Sequence, residues 1–298
     1  MKMVVFGSLN IDKTYSLEDF VRPGQTVSAS GMEQFCGGKG FNQAIALRRA
    51  GNAVCFAGAV GRDGGMLLDA LDRNGINREH VKVTPGATGH AIIQLDRKGG
   101  NCIIILAGAN GEITEADVTN TLASFGAGDL IVLQNEISCV PYILRCAREK
   151  GMLVAFNPSP YDAKIADCDL SYVDYLLVNE VEGAGMAGCA APDAILDVLH
   201  SRYPALNIVL TLGSDGAVYQ DRHGARYACG VHKVEAVDTT AAGDTFTGFF
   251  LSEILRHGDA RKALRIASVA AGIAVSRKGA EPSIPVMETV IAEMSPTK

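Results

Sequence analysis

Residues 238–250 read DTTAAGDTFTGFF. Three small residues, Ala241, Ala242 and Gly243, stand directly before an acid, Asp244, where the pattern predicts the mouth of a helix. An acid in a first helical turn is ordinary, because it offsets the positive end of the helix dipole. Small residues just ahead of it leave the backbone bare, and bare N–H groups at a helix start bind anions. A carboxylate beside an anion site is a conflict of charge, which points to chemistry rather than stability. Downstream, Phe246, Phe249, Phe250, Ile254 and Leu255 fall on one helical face. Gly258 stops that helix, with Arg256 and His257 in its last turn, and Asp259 caps the alanine-rich helix that follows.

The chain around this segment has 298 residues, enough for one large α/β domain. It is 48% apolar but has no stretch of eighteen apolar residues, which favours a globular protein over a membrane one. The opening MKMVVFGSLN runs straight into a strand pattern, so no signal peptide is expected. A net charge of −6 without a basic block argues against a nucleic-acid binder. Eight cysteines form no C-x-x-C pair, which predicts reduced, buried cysteines in a cytoplasmic protein and no zinc site.

Short apolar runs alternate with helical patterns. MVVF (3–6), LIVLQ (130–134), LVAFN (153–157), YLLVN (175–179) and NIVLTLG (207–213) read as buried strands, and NQAIALRRAG or APDAILDVLH as helices. That alternation implies a parallel sheet covered on both faces. Residues 12–36 and 88–106 break the rhythm: they hold no helix, and the second reads as a hairpin turning at RKGG, 97–100. Together they predict a small separate sheet covering a cleft.

The glycine-rich loops sort by context. GGKGFN (37–42) lacks the Ser or Thr of a Walker A loop, so a P-loop ATPase is not expected. GAGMAG (183–188) matches G-x-G-x-x-G but has no acid about twenty residues on, and reads as a surface loop. Gly37, Gly38 and Gly40 permit a close approach, either for a loop leading into a helix or for a ligand. In GSLNID, Asn10 and Asp12 point to one side of an extended chain, which suits sugar hydroxyls or a plain Asx turn. Glu136 ends a strand, where acids line the usual crevice. Asn179 and Glu182 fit either a hydrated magnesium ion or a capped turn. TLGSDG (211–216) suits a nucleotide or a simple hairpin.

Taken in order, GSLNID, GGKGFNQA, Glu136, NPSP, NEVE, TLGSDG, DTTAAGDTFTG and SRKGAEPSIP resemble the ribokinase-like (PfkB) carbohydrate kinases over nearly the whole chain. The resemblance implies an α/β fold, the ribokinase-like three-layer α/β/α arrangement with a mostly parallel central sheet plus a small β-sheet lid. It implies one domain over 1–298, with 12–36 and 88–106 as inserted lid segments, and a homodimer formed through the lid. The implied reaction moves the γ-phosphoryl of MgATP to a primary hydroxyl of a small sugar, with D-ribose the first candidate. Another sugar, a sugar acid or a nucleoside is the alternative within the class, and a catalytically silent sugar-binding module the alternative outside it.

By the same resemblance, Asp244 is the base, and the backbone of Ala241, Ala242 and Gly243 is the anion hole. Asn10, Asp12, Gly38, Lys39, Asn42 and Glu136 match sugar-contacting positions. Asn179 matches a phosphate contact, Glu182 a magnesium-linked acid, and Thr211, Gly213, Ser214 and Gly216 the nucleotide loop. Asp238, Thr240, Ala274, Arg277, Gly279 and Ser283 match a loop pair that binds a monovalent cation, K+ by type. Four residues depart from the pattern, one of them Gln25 in RPGQTV, where Glu is more frequent. Phe41 replaces a small residue and either packs outward or narrows the pocket. His90 and Gln94 put polar groups on a lid strand, where they bear on specificity if that face looks into the cleft.

Overall fold

Parallel strands buried on both faces read as unbroken apolar runs, and such runs build the main sheet. The computed structural model describes residues 1–98 and 100–294. The chain opens with β1 (Met3–Phe6), β2 (Asn10–Ser16), β3 (Gly31–Gly37), α1 (Lys39–Arg49), β4 (Val54–Val60), α2 (Gly65–Arg73) and β5 (Asn77–Val83). Next come β6 (Gly89–Leu95), β7 (Asn101–Leu106), α3 (Glu115–Leu122), β8 (Leu130–Gln134), α4 (Val140–Glu149) and β9 (Leu153–Asn157). β10 (Tyr175–Asn179), α5 (Glu180–Ala187), α6 (Pro192–Arg202), β11 (Asn207–Thr211), β12 (Ala217–Gln220) and β13 (Arg226–Cys229) follow. The helices α7 (Ala242–His257), α8 (Ala260–Val275) and α9 (Met287–Met294) close the chain.

Nine strands form one sheet in the order β13-β12-β11-β10-β9-β8-β1-β4-β5. The pairings from β11 through β5 are parallel, and only β12 and β13 run antiparallel to their neighbours. Alternation along β1 sends Met3 and Val5 into one core and Val4 and Phe6 into the other. The first core takes in Ile45, Leu67, Phe249, Leu264 and Val290 from α1, α2, α7, α8 and α9. The second takes in Val118, Ile143, Ala187 and Ile195 from α3 to α6. These are the three layers.

The lid is a four-stranded sheet ordered β3-β2-β6-β7. Its β2–β6 pair is parallel, with Asp12 opposite Ala91 and Ile11 opposite His90. Of the expected turn at 97–100, residue 99 lies outside the described residues, as do 295–298 at the end of the chain; Asp96 and Gly100 close the turn.

Several local expectations need correction. GAGMAG is helical: it forms most of α5, because Asn179 and Glu182 cap that helix reciprocally and Gly188 ends it in a left-handed conformation. α7 is not one-sided, since every residue from Asp244 to Ile254 is buried. At Gly248 a Cβ would strike Ala46 and Leu47, so α1 and α7 cross too closely for any side chain there. Of the eight cysteines only Cys168 is fully buried, and Cys102 is exposed.

Candidate active site

Strands are added on one side of β1 as far as β5, and the chain then returns to add β8 to β11 on the other side. Open α/β sheets bind ligands outside the carboxyl ends of their strands at such a switch point. Here the loop after β1 carries Ser8, and the loop after β8 carries Glu136. The Ser8 hydroxyl donates to Glu136 Oε2, which also accepts the Lys39 backbone N–H at 2.9 Å. Ser8 in turn accepts the Gly40 N–H at 3.2 Å. A Cβ on Gly40 would fall on the backbone of Gly7 and Ser8, and one on Gly38 (φ 96°) would press on Ser8 and Asn10. These glycines therefore serve backbone-to-backbone packing that sets the start of α1 against the end of β1.

That placement brings α1 to the acid of α7. Asn42 Nδ2 donates to Asp244 Oδ2 at 3.0 Å, and Gln43 Nε2 donates to Oδ1 at 2.9 Å. Asp244 is only 8% exposed. Asn42 Oδ1 is buried and has no partner among the described residues, an acceptor left for a ligand hydroxyl. Lys39 completes the group. Burial works against its charge, but Asp244, Glu136 and Glu182 together outweigh this and raise its pKa.

On the lid side, Asn110 donates to Asn10 Oδ1 at 2.8 Å and accepts from the Leu9 N–H at 3.0 Å, so the chain between the two sheets is pinned. The Asp12 carboxylate lies over the bare Cα of Gly37, where any Cβ would collide with it. Burial, then the Glu136 charge, pushes Asp12 up from 3.8 to about 7. Burial likewise pushes Glu136 upward, against the opposing pull of Lys39 and Ser8.

Beyond Asp244 opens a cleft of about 260 Å³, lined among others by Lys39, Asn179, Glu182, Thr211, Gly243 and Asp244. Ala241 caps α7 in the left-handed region (φ 61°), a strained conformation for a residue with a Cβ. The N–H groups of Ala241, Gly243 and Asp244 have no acceptor among the described residues, whereas Ala242 N–H bonds Thr239 O at 3.3 Å. A Cβ on Gly243 would meet nothing within 4 Å, so the space over this turn is open. Asn179 and Glu182 make the capped turn, with the Glu182 N–H on Asn179 Oδ1 at 2.8 Å and the Asn179 N–H on Glu182 Oε2 at 3.0 Å. Glu182 Oε1 keeps no protein partner among the described residues, although the residue is 6% exposed. Thr211 reaches the cleft; Gly213, Ser214 and Gly216 form the β11–β12 turn beyond it and do not line it.

The loop pair behind the anion turn is closed by Asp238, whose two oxygens take the N–H groups of Thr240 and Gly279. Ala274 O accepts the Arg277 N–H at 3.1 Å, and the fully buried Ser283 donates its hydroxyl to Ala280 O at 2.7 Å. Arg49, in the last turn of α1, holds the carbonyls of Glu281 and Ile284, each at 2.7 Å.

Three of the departures, Phe41, His90 and Gln94, resolve by position. Phe41 is 0% exposed and belongs to the first core, so it neither packs outward nor lines the cleft. His90 and Gln94 lie on the lid face shared with Ile11 and Tyr15, opposite to the face of Asn10 and Asp12. Sequence reasoning passed over Ser8, Gln43, Asn110, Gln134 and Asn157. Gln134 and Asn157 carried a signal, a polar residue closing an otherwise apolar strand run, whereas Gln43 and Asn110 gain meaning only from partners about a hundred or more residues away.

A model of the pfkB family carbohydrate kinases matches residues 1–287. The chain is 33% identical over 299 residues to the ribokinase of Haemophilus influenzae, covering 97% of both. The ribokinase of Cryptococcus neoformans var. grubii in complex with ADP superposes with a TM-score of 0.85 at 30% identity, covering 98% of this chain and 99% of that one. The Arabidopsis thaliana ribokinase complexed with ribose and ATP gives 0.86 at 28% identity, covering 98% and 97%.

Proposed function

The chain belongs to the pfkB family of carbohydrate kinases, and we propose that it transfers the γ-phosphoryl group of MgATP to the primary hydroxyl of D-ribose, giving D-ribose 5-phosphate. The observation that carries this reading is Asp244: a buried carboxylate, held by two neutral amides, that lines a cleft together with a turn of free N–H groups.

Phosphoryl transfer asks chiefly for positioning and for stabilisation of charge. The sugar lies among Asn10, Asp12, Gly38, Lys39, Asn42 and Glu136, where carboxylates accept from its hydroxyls and Lys39 donates. Asp244 takes the proton of the primary hydroxyl as that oxygen bonds to the γ-phosphorus and the bond to the ADP oxygen breaks. The free N–H groups of Ala241, Gly243 and Asp244, with Lys39, receive the negative charge of the moving group. The proton then leaves from the Asp244 carboxyl to solvent. The nucleotide runs from this turn past Asn179 and Thr211 towards Gly213, Ser214 and Gly216.

Glu182, with its unpartnered oxygen on the cleft, suits a magnesium ion held through water; when bound, the ion neutralises phosphate oxygens. A monovalent cation, K+ by type, belongs to the loop pair of Asp238, Thr240, Ala274, Arg277, Gly279 and Ser283, whose carbonyls keep a second lone pair. The homodimer is assigned to the lid. Four consecutive apolar residues of β7, Ile103 to Leu106, are 52–61% exposed on an edge strand, and such an edge calls for cover. Eight unpaired cysteines support a reducing, cytoplasmic setting.

ADP release measured across D-ribose, 2-deoxy-D-ribose, other pentoses, hexoses, sugar acids and nucleosides tests the assignment. D-ribose is expected to give the highest kcat/KM. Preference for another acceptor overturns the substrate, and silence with all of them favours a binding module. Asp244→Asn should bind sugar and ATP while turnover falls by about 10²–10⁴; near-normal turnover overturns the base.

A further inference from the structure

Two strand ends, the middle of a third strand and two helices are joined by amides behind Asp244. Gln134, the last residue of β8, donates through Nε2 to Gln43 Oε1 at 2.6 Å. Gln43 Nε2 donates to Asp244 Oδ1 at 2.9 Å and to Asn157 Oδ1 at 3.2 Å. Asn157, the last residue of β9, donates through Nδ2 to the Leu177 carbonyl of β10 at 2.8 Å. Gln43 and Gln134 are both 0% exposed.

The orientation of every amide follows from one fixed group. A backbone carbonyl accepts and never donates, so Leu177 O compels Asn157 to present its nitrogen there and its oxygen to Gln43. Gln43 must then turn its nitrogen towards Asn157 and Asp244 and its oxygen towards Gln134. Both hydrogens of Gln43 Nε2 are used, and flipping the amide would set its oxygen against two acceptors. A buried side chain with all its polar atoms satisfied has one orientation.

We infer that Gln43 is the positioning residue of the phosphoryl transfer: it fixes the Asp244 carboxylate so that one oxygen faces the acceptor hydroxyl. This inference rests on the reading of Asp244 as the base. The donor is neutral, and that suits the task, since a cation in this place would hold the carboxylate ionised and weaken it as a base. Gln43 and Asn42 each fill one lone pair on a different oxygen, which leaves the remaining lone pairs for the sugar.

The test uses Gln43→Leu, Gln43→Glu and Asp244→Asn in the full chain, with thermal unfolding as a check on folding. Gln43→Leu should lower kcat by about 10²-fold, the cost of a small misplacement of a catalytic group, with sugar KM within about threefold. Gln43→Glu keeps the shape and puts a second carboxyl beside Asp244. It should work at low pH, where the new acid is protonated and donates, and lose kcat as pH rises and the pair gives up its shared proton. A core-packing role would not move that pH profile. If Gln43→Leu does not fold, Gln43→Glu decides alone. Wild-type kcat and pH profile in the folded Gln43 variants, with Asp244→Asn inactive, overturn the positioning role and spare the base. Turnover in Asp244→Asn overturns the base itself.

Discussion

Asp238 Oδ2 accepts the backbone N–H of Gly279 at 2.9 Å, while Oδ1 accepts that of Thr240 at the same distance. One carboxylate thus ties the segment leading into the anion turn to the segment following α8. Burial works against its charge, but the hydrogen bonds from Thr240 and Gly279, with Lys278 nearby, outweigh this and hold the pKa below 3.8.

Replacing this acid separates the two segments. Asp238→Ala should cost about 1.5–3 kcal/mol at pH 7, the range for hydrogen bonds to a charged group, and should abolish the proposed activation by K+. Because the folded pKa is depressed, the contribution is present above about pH 4 and lost as pH falls below it. Urea unfolding at pH 7 and pH 3 reads the first effect, and initial rates in K+ against Na+ read the second. Unchanged cation dependence would reduce the loop pair to scaffolding.

Gly243 faces open space, so a methyl group there is harmless to the empty protein. Gly243→Ala should leave stability unchanged or raise it by up to about 1 kcal/mol, as alanine does in a helix. On the proposed reading the same methyl group stands where a phosphate approaches the N–H groups. Turnover should fall by about 10²–10³, as on losing an anion-hole donor. Thermal unfolding and steady-state kinetics with ATP separate the two effects. A fully active, equally stable variant would place the phosphate elsewhere.

Asp12 gives a pH signature of opposite sign. Burial and Glu136 raise its pKa from 3.8 to about 7, so the native state holds a proton that the unfolded chain has already released. Stability therefore falls as pH rises from about 4 to 7 and stays low above that. Asp12→Asn, which breaks no hydrogen bond among the described residues, should match the wild type near pH 4 and exceed it by about 2–4 kcal/mol at pH 8. Sugar affinity of the wild type should strengthen through pH 7 as the carboxylate ionises, and calorimetric titration of the variant should show no such inflection.

Phe41 stands next to the sugar loop in sequence but is wholly within the first core. Phe41→Ala should cost about 3–5 kcal/mol and leave the ratio of kcat/KM between sugars unchanged. A shift in that ratio, seen in the folded variant, would return Phe41 to the pocket wall.

The strands Leu130–Gln134, Leu153–Asn157 and Tyr175–Asn179 were legible to the residue, because burial on both faces makes them continuous apolar runs. β5, Asn77–Val83, was not, since an edge strand is half exposed and NREHVKV carries little apolar signal. The helical state of GAGMAG was hidden by its glycines; a cap at Asn179, four residues upstream, overrode their preference. At the site, Asp244, Asn42 and Glu136 were legible through their motifs. The second amide that holds Asp244, Gln43, was not, because periodicity along α1 cannot show which helix or strand end its polar residues meet. The two lid residues marked as departures proved to face away for the simple reason that alternation about Asp12 fixes the other face.

The glycine junction between Gly7, Gly38 and Gly40 has a consequence for redesign. Its side-chain positions are already occupied by main chain or by Gln134, so a library that randomises this loop will return mostly unfolded clones. Diversity aimed at new acceptors is better spent on Phe35, which lies across the register from Asp12 on the neighbouring strand and is only half-buried.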